Sequence, residues 1–243
     1  LSKAHEFSQL PIKHCFSVDG NTTFLAHYDI TLEESLSGIR PIQNRGVELI
    51  RDGGKFGGGI RFPGTTPNVN ELKYTADCIN PNEGTINLWY KQEMPTEQII
   101  NHSTSPKLFQ VGSYNREGSF SIWNYHLKFS VYVRGKDSTG WTGYKTNIHS
   151  FEQNKWYMIT VTWSNKDWKV YVDGELKAEF TSSQPLGAIA NNVMWVGGES
   201  TFAFGSMIDE VRIDRVEKSE EEISAWYQSQ APFYPRGIHQ IYG

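Results

Sequence analysis

The stretch Lys155 to Phe180, KWYMITVTWSNKDWKVYVDGELKAEF, constrains the fold more than any other part of the chain. Trp156 to Trp163 is almost wholly β-branched or aromatic, the composition that suits a pleated, half-buried surface. Ser164-Asn165-Lys166-Asp167 interrupts it with turn formers, and Trp168 to Val172 resumes as a second strand. Asp173-Gly174 then supplies a strong two-residue hairpin signal, because a type I′ turn needs positive φ at both central positions. Glu175 to Phe180 returns as a third strand. A chain with this centre is a β protein.

The flanks repeat the pattern. Cys15 to Val18 and Phe24 to Leu32 read as the first two strands, around a turn at Asp19-Gly20-Asn21. Glu33 to Gln43 reads as loop. Val47 to Ile50 and Phe56 to Phe62 form a strand–turn–strand unit, and Leu72 to Thr75 a short strand. Thr85 to Gln92, Lys107 to Tyr114, Ser119 to Tyr125 and Leu127 to Arg134 follow, then a loop from Gly135 to His149. Beyond the central hairpin come strands at Val193 to Val196 and Met207 to Ile213. Only one segment is helical in character: Ser219-Glu220-Glu221-Glu222 carries a capping signal and an acidic first turn, with Ile223, Trp226 and Tyr227 at i, i+3 and i+4. Pro232 and Pro235 close it. Many short strands with one late helix predict an all-β, two-sheet antiparallel jelly-roll sandwich with a short C-terminal helix. The expected layout is an arm over residues 1–14, one domain over 15–230 and a tail over 231–243.

Bulk properties narrow the function. The 243 residues fit one large β domain or two small ones, and a net charge of −4 gives no electrostatic reason to expect nucleic acid, which would need a basic patch. No apolar run approaches the roughly 20 residues that span a bilayer, so no membrane insertion is expected. The chain opens Leu-Ser-Lys without a charged-then-apolar leader and reads as a processed or excised piece. Two cysteines, Cys15 and Cys78, do not make a disulfide framework. They read as free thiols, with one bridge left open.

Several of these pieces together resemble the laminin-G-like, concanavalin-A-like jelly-roll domains. They are Leu88-Trp89-Tyr90-Lys91, Trp-Tyr-x-x-x-Val-Thr-Trp at 156–163, Val-Tyr-Val-Asp-Gly at 170–174, Val196-Gly197-Gly198, and Gly-Ser-Met-Ile-Asp-Glu-Val-Arg-Ile at 205–213. The resemblance covers residues 16–230. It implies two curved sheets packed face to face, carbohydrate as the common partner on the concave face or its rim, and a structural calcium ion as a frequent cofactor. Phe56 to Thr66, with Glu83 to Trp89, looks most like modules of bacterial surface proteins and bacteriophage tail proteins. That likeness implies an extracellular, cell-surface or virion location, with other subunits of a larger assembly as further partners.

Side chains alternate across a strand, so each strand divides into two faces. Phe120 and Ile122, then Leu127, Phe129, Val131 and Val133, then Val170 and Val172, form an aliphatic set that belongs in the core. The opposite faces mix aromatic and polar groups, which suits a sugar with its apolar C–H face and hydroxyl edges. Trp123, Tyr125, Tyr132 and Arg134 are the expected carbohydrate-binding residues, with Tyr171 as a contributor. The alternative is that these rings only stabilise the sheet by cross-strand pairing.

The resemblance makes Asp209, in the IDEVRI run, the first calcium candidate. Asp29 is the second, as the acid closing the first long strand. Calcium takes six to eight oxygen ligands, so carbonyls would have to complete such a site. A surface turn or a salt bridge to Arg212 is the other role open to Asp209. Glycosidases of this fold carry a Glu-x-Asp-x-x-Glu run that sets two carboxylates on one strand face. Here position 207 is Met and the later acid is Asp214, so the run is missing. The histidines show no zinc spacing. Gly57-Gly58-Gly59 lacks the Lys-Ser/Thr of a phosphate loop and reads as a bend or bulge. The expected function is a non-catalytic carbohydrate-binding or adhesion module. A polysaccharide-degrading glycosidase or lyase, and a purely structural virion or surface-layer domain, are the alternatives on the same fold.

Overall fold

In a computed structural model, which describes residues 18–63, 70–95, 106–125, 128–199 and 205–230, the central hairpin forms as its residues require. Asp173 and Gly174 take φ of 53° and 79°, the two positive values of a type I′ turn. The Asp173 carboxylate also accepts the Met158 N–H at 2.8 Å, tying the turn to the strand beside it.

In chain order the strands are β1 (Thr22–Ala26), β2 (Gln43–Arg45), β3 (Glu48–Ile50), β4 (Gly59–Phe62), β5 (Glu71–Thr75), β6 (Glu83–Gln92), β7 (Lys107–Val111) and β8 (Ser119–Tyr125). They continue with β9 (Lys128–Arg134), β10 (Gly143–Lys145), β11 (Trp156–Ser164), β12 (Asp167–Val172), β13 (Glu175–Thr181), β14 (Val193–Gly197) and β15 (Ser206–Asp214), and α1 (Glu220–Gln230) follows. One sheet has eight strands, in the order β13-β12-β11-β6-β15-β4-β3 with β1 also on β15; the other has seven, in the order β10-β9-β8-β7-β14-β5-β2. This is the two-sheet antiparallel sandwich that the alternation predicts.

The aliphatic faces meet between the sheets. Ile86, Leu88, Val161, Val170 and Val172 from the eight-stranded sheet pack with Phe120, Ile122, Phe129, Val131 and Val133 from the seven-stranded one. Trp163 and Trp168 stack at 5.8 Å, and Phe120 reaches both from across the core at 5.3 and 5.2 Å. Asn124 faces the same interior and bridges the layers by donating to Gln92 Oε1 at 2.9 Å.

The helix covers the outer side of the eight-stranded sheet. Its capping box is complete: Glu222 N–H donates to Ser219 Oγ at 3.2 Å, and Ser219 N–H donates to Glu222 Oε2 at 2.9 Å. Ile223 is buried in a second apolar cluster with Leu25, Trp89, Met158 and Tyr171, and Tyr227 stacks 6.1 Å from Trp89. A Cβ on Gly174 would sit 2.9 Å from the Cβ of Tyr227, so the hairpin glycine also lets the helix close. Among the described residues no helix is long and apolar enough to cross a membrane.

Several local expectations change. The first long strand ends at Ala26, because Tyr28 takes a positive φ of 57° and Glu34 gathers the N–H groups of Leu25, Leu36 and Ser37 at 3.1, 2.6 and 2.8 Å. Two three-residue strands, β2 and β10, lie where only loop was read; so short a run shows no period. Gly57 to Gly59 do form a bend, at the entry to β4, where the Gly58 backbone lies so close to Tyr28 and Asp29 that a Cβ would meet them at 2.5–2.7 Å. Cys78 is a buried free thiol donating to Met194 Sδ at 3.7 Å, its pKa pushed up to about 12 by burial. Cys15, the 1–14 arm and the 231–243 tail lie outside the described residues.

Candidate functional site

The outer face of the seven-stranded sheet carries a continuous row of polar and aromatic side chains. Strand register places Gln43 opposite Lys73, Lys73 opposite Trp195, Trp195 opposite Gln110, Gln110 opposite Ser121, Ser121 opposite Tyr132, and Tyr132 opposite Tyr144. Opposed residues share a face, so this row crosses all seven strands.

At one end of the row four aromatic residues close into a box. Ring centroids lie 5.9 Å apart for Tyr114–Trp123, 5.8 Å for Trp123–Tyr132, 5.3 Å for Tyr132–Trp141 and 6.0 Å for Trp141–Tyr114. They enclose a half-open hollow of about 160 Å³. Tyr144, 61% exposed, stacks on the outside of Tyr132 at 6.0 Å. Trp123 is supplied by β8 and Tyr132 by β9, whereas Tyr114 follows β7 and Trp141 precedes β10.

A buried cation sits against the box. The Lys107 ammonium lies 4.2 Å from the Tyr114 ring centroid and 4.9 Å from that of Trp123, and donates to Gln110 Oε1 at 2.6 Å. Gln110 in turn donates to Glu199 Oε2 at 3.3 Å, and the same oxygen accepts the Tyr114 N–H at 2.7 Å. Lys107 is only 1% exposed. Burial pulls its pKa down to about 7, against the raising effect of Glu199. A strict strand period would put Lys107 and Gln110, three apart, on opposite faces. A bulge between Lys107 and Phe109 brings both to the outer face, which is why this group is not legible from alternation.

Beside the box lies a wider groove of about 880 Å³, lined in part by Asn115, Arg116, Glu117, Arg134, Ser138 and Thr139. Arg134 joins the two, with its guanidinium carbon 5.2 Å from the Trp141 ring and its Nη1 donating to the Asn115 carbonyl.

Of the expected binding residues, Trp123, Tyr132 and Arg134 therefore converge on one site. The side chain of Tyr125 lies outside the described residues. Tyr171 does not belong with them: β12 is in the opposite sheet, and Tyr171 is buried there beneath α1. Alternation puts Tyr171 on the non-core face, and the helix covers that face. Tyr114, Trp141, Tyr144, Lys107 and Gln110 carry no strand-face signal, four because they lie in turns, a very short strand or beyond a bulge. Lys107, Gln110 and Tyr114 all fall in the expected strand Lys107 to Tyr114, but that strand ends at Val111 and carries a bulge after Lys107.

The two calcium candidates occupy another region. Asp209 Oδ2 accepts the N–H groups of Lys55 and Phe56 at 2.7 and 3.1 Å, and Oδ1 accepts the Glu210 N–H at 2.8 Å. Asp29 Oδ1 accepts the Gly58 N–H at 2.8 Å. Burial and the neighbouring Glu210 push the Asp209 carboxyl well above the usual carboxylate range. A calcium ion needs six to eight oxygens directed at it, whereas N–H hydrogens meet both Asp209 oxygens. Asp209 as placed does not fit that ion. Among the described residues no group of three or more His, Cys, Asp and Glu side chains is arranged to hold a metal. Arg212 pairs with Asp214 and Asp19 at 2.9 and 2.7 Å rather than with Asp209.

Two antiparallel sheets face to face, with an aromatic surface on one and a capping helix on the other, define a concanavalin-A-like sandwich. The chain belongs to the concanavalin A-like lectin/glucanases superfamily, whose laminin-G-type family profile matches residues 64–224. No protein of curated function matches the sequence significantly. Among solved structures, the binding domain of Paraclostridial Mosquitocidal Protein 1 is 16% identical with a TM-score of 0.64, over 86% of this chain and 52% of that one. The botulinum neurotoxin serotype G binding domain is 14% identical with a TM-score of 0.65, over 86% and 51%. The receptor binding domain of botulinum neurotoxin D is likewise 14% identical with a TM-score of 0.65, over 86% and 53%. The chain thus spans about half the length of each of these structures, and the likeness is one of fold.

Proposed function

We propose that this chain is a non-catalytic carbohydrate-binding module that recognises glycans displayed on a surface, as the adhesion part of a larger extracellular or virion assembly. The closed box of Tyr114, Trp123, Tyr132 and Trp141 carries the reading. Sugars present C–H faces that pack on aromatic rings and hydroxyls that seek donors and acceptors. The box supplies the rings, and the polar groups of the adjoining row and groove supply the rest. A purely structural role explains Trp123, which is 9% exposed, better than it explains Tyr114 and Tyr144, at 38% and 61%. Rings left that open gain little for folding and present their faces to a partner. The superfamily spans lectins and glucanases alike, and the similar solved structures are binding domains, which supports a binding module. Among the described residues the box is lined by Tyr114, Trp123, Tyr132 and Trp141, rings that suit binding rather than the paired carboxylates of glycoside cleavage.

The test is a glycan array probed with the chain and with its Trp141→Ala variant, beside a reducing-sugar release assay on a polysaccharide panel. Binding that Trp141→Ala abolishes, without sugar release, is the expected result. An array with no binder sinks the proposal, and sugar release would transfer the chain to the glycosidase reading.

A further inference from the structure

The box is smaller than a ligand site should be. Pockets for small ligands run about 300–1,000 Å³, and the aromatic hollow is about 160 Å³. It holds one ring, and a longer glycan must leave it somewhere. The groove of about 880 Å³ opens directly beside it, since Arg134 both lines the groove and packs on Trp141, and Asn115 follows Tyr114 in the chain.

The polar groups of this groove are unevenly engaged. Glu117 already accepts the Asp137 N–H at 2.8 Å. Ser138 Oγ is held by Gly140, donating to its carbonyl at 2.6 Å and accepting its N–H at 3.1 Å. Asn191 donates to Ser113 Oγ at 2.8 Å. The cations differ. Arg116 is exposed, and its guanidinium has no partner among the described residues. Arg134 is positioned by Asn115 and Trp141 and lines the groove. The one acid among the groove's lining residues, Glu117, has its Oε2 held by backbone, and the two guanidinium groups outweigh its charge for an incoming anion. Guanidinium forks suit planar carboxylates and sulfates, and charge assistance roughly doubles the strength of such hydrogen bonds.

We infer that the groove is an anion subsite, so that the module takes an acidic oligosaccharide with one sugar ring in the aromatic box and a carboxylate- or sulfate-bearing residue between Arg116 and Arg134. This rests on the carbohydrate reading of the box. It separates the chain from a binder of neutral glycans despite the net charge of −4, because recognition depends on the local field and not on the total.

The experiment is a glycan array printed with sialylated, uronate-containing and sulfated oligosaccharides, each beside its asialo, methyl-esterified or desulfated counterpart. It is probed with the wild type, Arg116→Gln and Trp141→Ala. The expected result is a preference of about tenfold for acidic members, falling to about twofold in Arg116→Gln and shrinking as salt is raised. Arg116 is exposed, so the variant folds, and circular dichroism verifies this. The carboxylate and sulfate arms show which anion the groove prefers. Equal binding of acidic and neutral partners, lost in Trp141→Ala but unaffected by Arg116→Gln, overturns the anion subsite and leaves the carbohydrate reading standing. Absence of binding to every member overturns both.

Discussion

Trp123 and Tyr132 meet diagonally across β8 and β9, ring centroids 5.8 Å apart, while the positions directly opposite them are held by Ser130 and Ser121. The two small serines leave each ring space to lean toward the other. Diagonal pairs of this kind lie within reach of aromatic side chains. The Trp123–Tyr132 edge of the box is thus specified by four residues on two strands.

The box separates folding from binding within its own members. Trp123 is nearly buried, and Trp123→Ala should destabilise the protein by about 3 kcal/mol, the cost of emptying a packed aromatic site. Trp141 is half-buried in a turn, with ring contacts to Tyr114 and Tyr132 and the Arg134 guanidinium over its face. Trp141→Ala should cost about 1–2 kcal/mol in urea unfolding while removing glycan binding. Equal stability losses in the two variants would mean that the box is a packing device.

Lys107 makes the stability of this sheet depend on pH in an unusual direction. Its folded pKa, about 7, lies below the ordinary lysine value of 10.5. Between those values the unfolded chain holds a proton that the folded protein has released, so stability rises with pH across that window. The slope is on the order of 1 kcal/mol per pH unit. Denaturant titrations from pH 7 to pH 10 should show this rise, and Lys107→Met should flatten it. A wild-type curve that falls from pH 7 upward would show that Lys107 keeps its proton.

The loop that wraps Asp209 depends on glycine. A Cβ on Gly54 would lie 1.4 Å from the Gly58 carbonyl oxygen, which neither backbone can avoid. Gly54→Ala should cost about 3 kcal/mol or more, measured by thermal unfolding. Because amides already meet the Asp209 carboxylate, adding calcium or EDTA should leave the wild-type midpoint in place. A calcium-dependent rise that Asp209→Asn removes would instead show linked binding of the ion to the folded state.

Arg212 is the anchor of a buried charge group. It donates from Nε and Nη2 to both oxygens of Asp214, each at 2.9 Å, and its guanidinium lies 4.4 Å from the Trp226 ring. Arg212→Met strands the Asp214 charge in the interior and should cost about 3–5 kcal/mol. The double variant Arg212→Met/Asp214→Leu should recover most of that loss, since an apolar pair leaves no uncompensated charge. A double variant as weak as the single one would assign the cost to the lost Trp226 contact.

The split between legible and hidden features follows the range of the interactions involved. Val170, Val172, Phe120 and Ile122 could be assigned to the core from alternation alone, and Asp173-Gly174 to its turn from φ requirements, because both rules act between residues a few positions apart. Ser219 and Glu222 announced the helix start for the same reason. The seven-stranded face that carries Trp123, Tyr132 and Arg134 was visible as a polar–aromatic stripe. What alternation does not contain is which sheet a strand joins and what covers its outer side. Tyr171 and Tyr132 have the same strand pattern, yet one is buried under α1 and the other borders an open hollow. Tyr114 and Trp141 entered the site from turns, and Lys107 by a bulge that shifts its face by one residue. By itself the sequence determined a β-sandwich with its hairpins, core stripes and capped helix, since those are set by local sterics and burial. Only the tertiary structure decided that four distant rings close into one box beside two guanidinium groups, since that convergence depends on strand order, register and turn paths across the whole sheet.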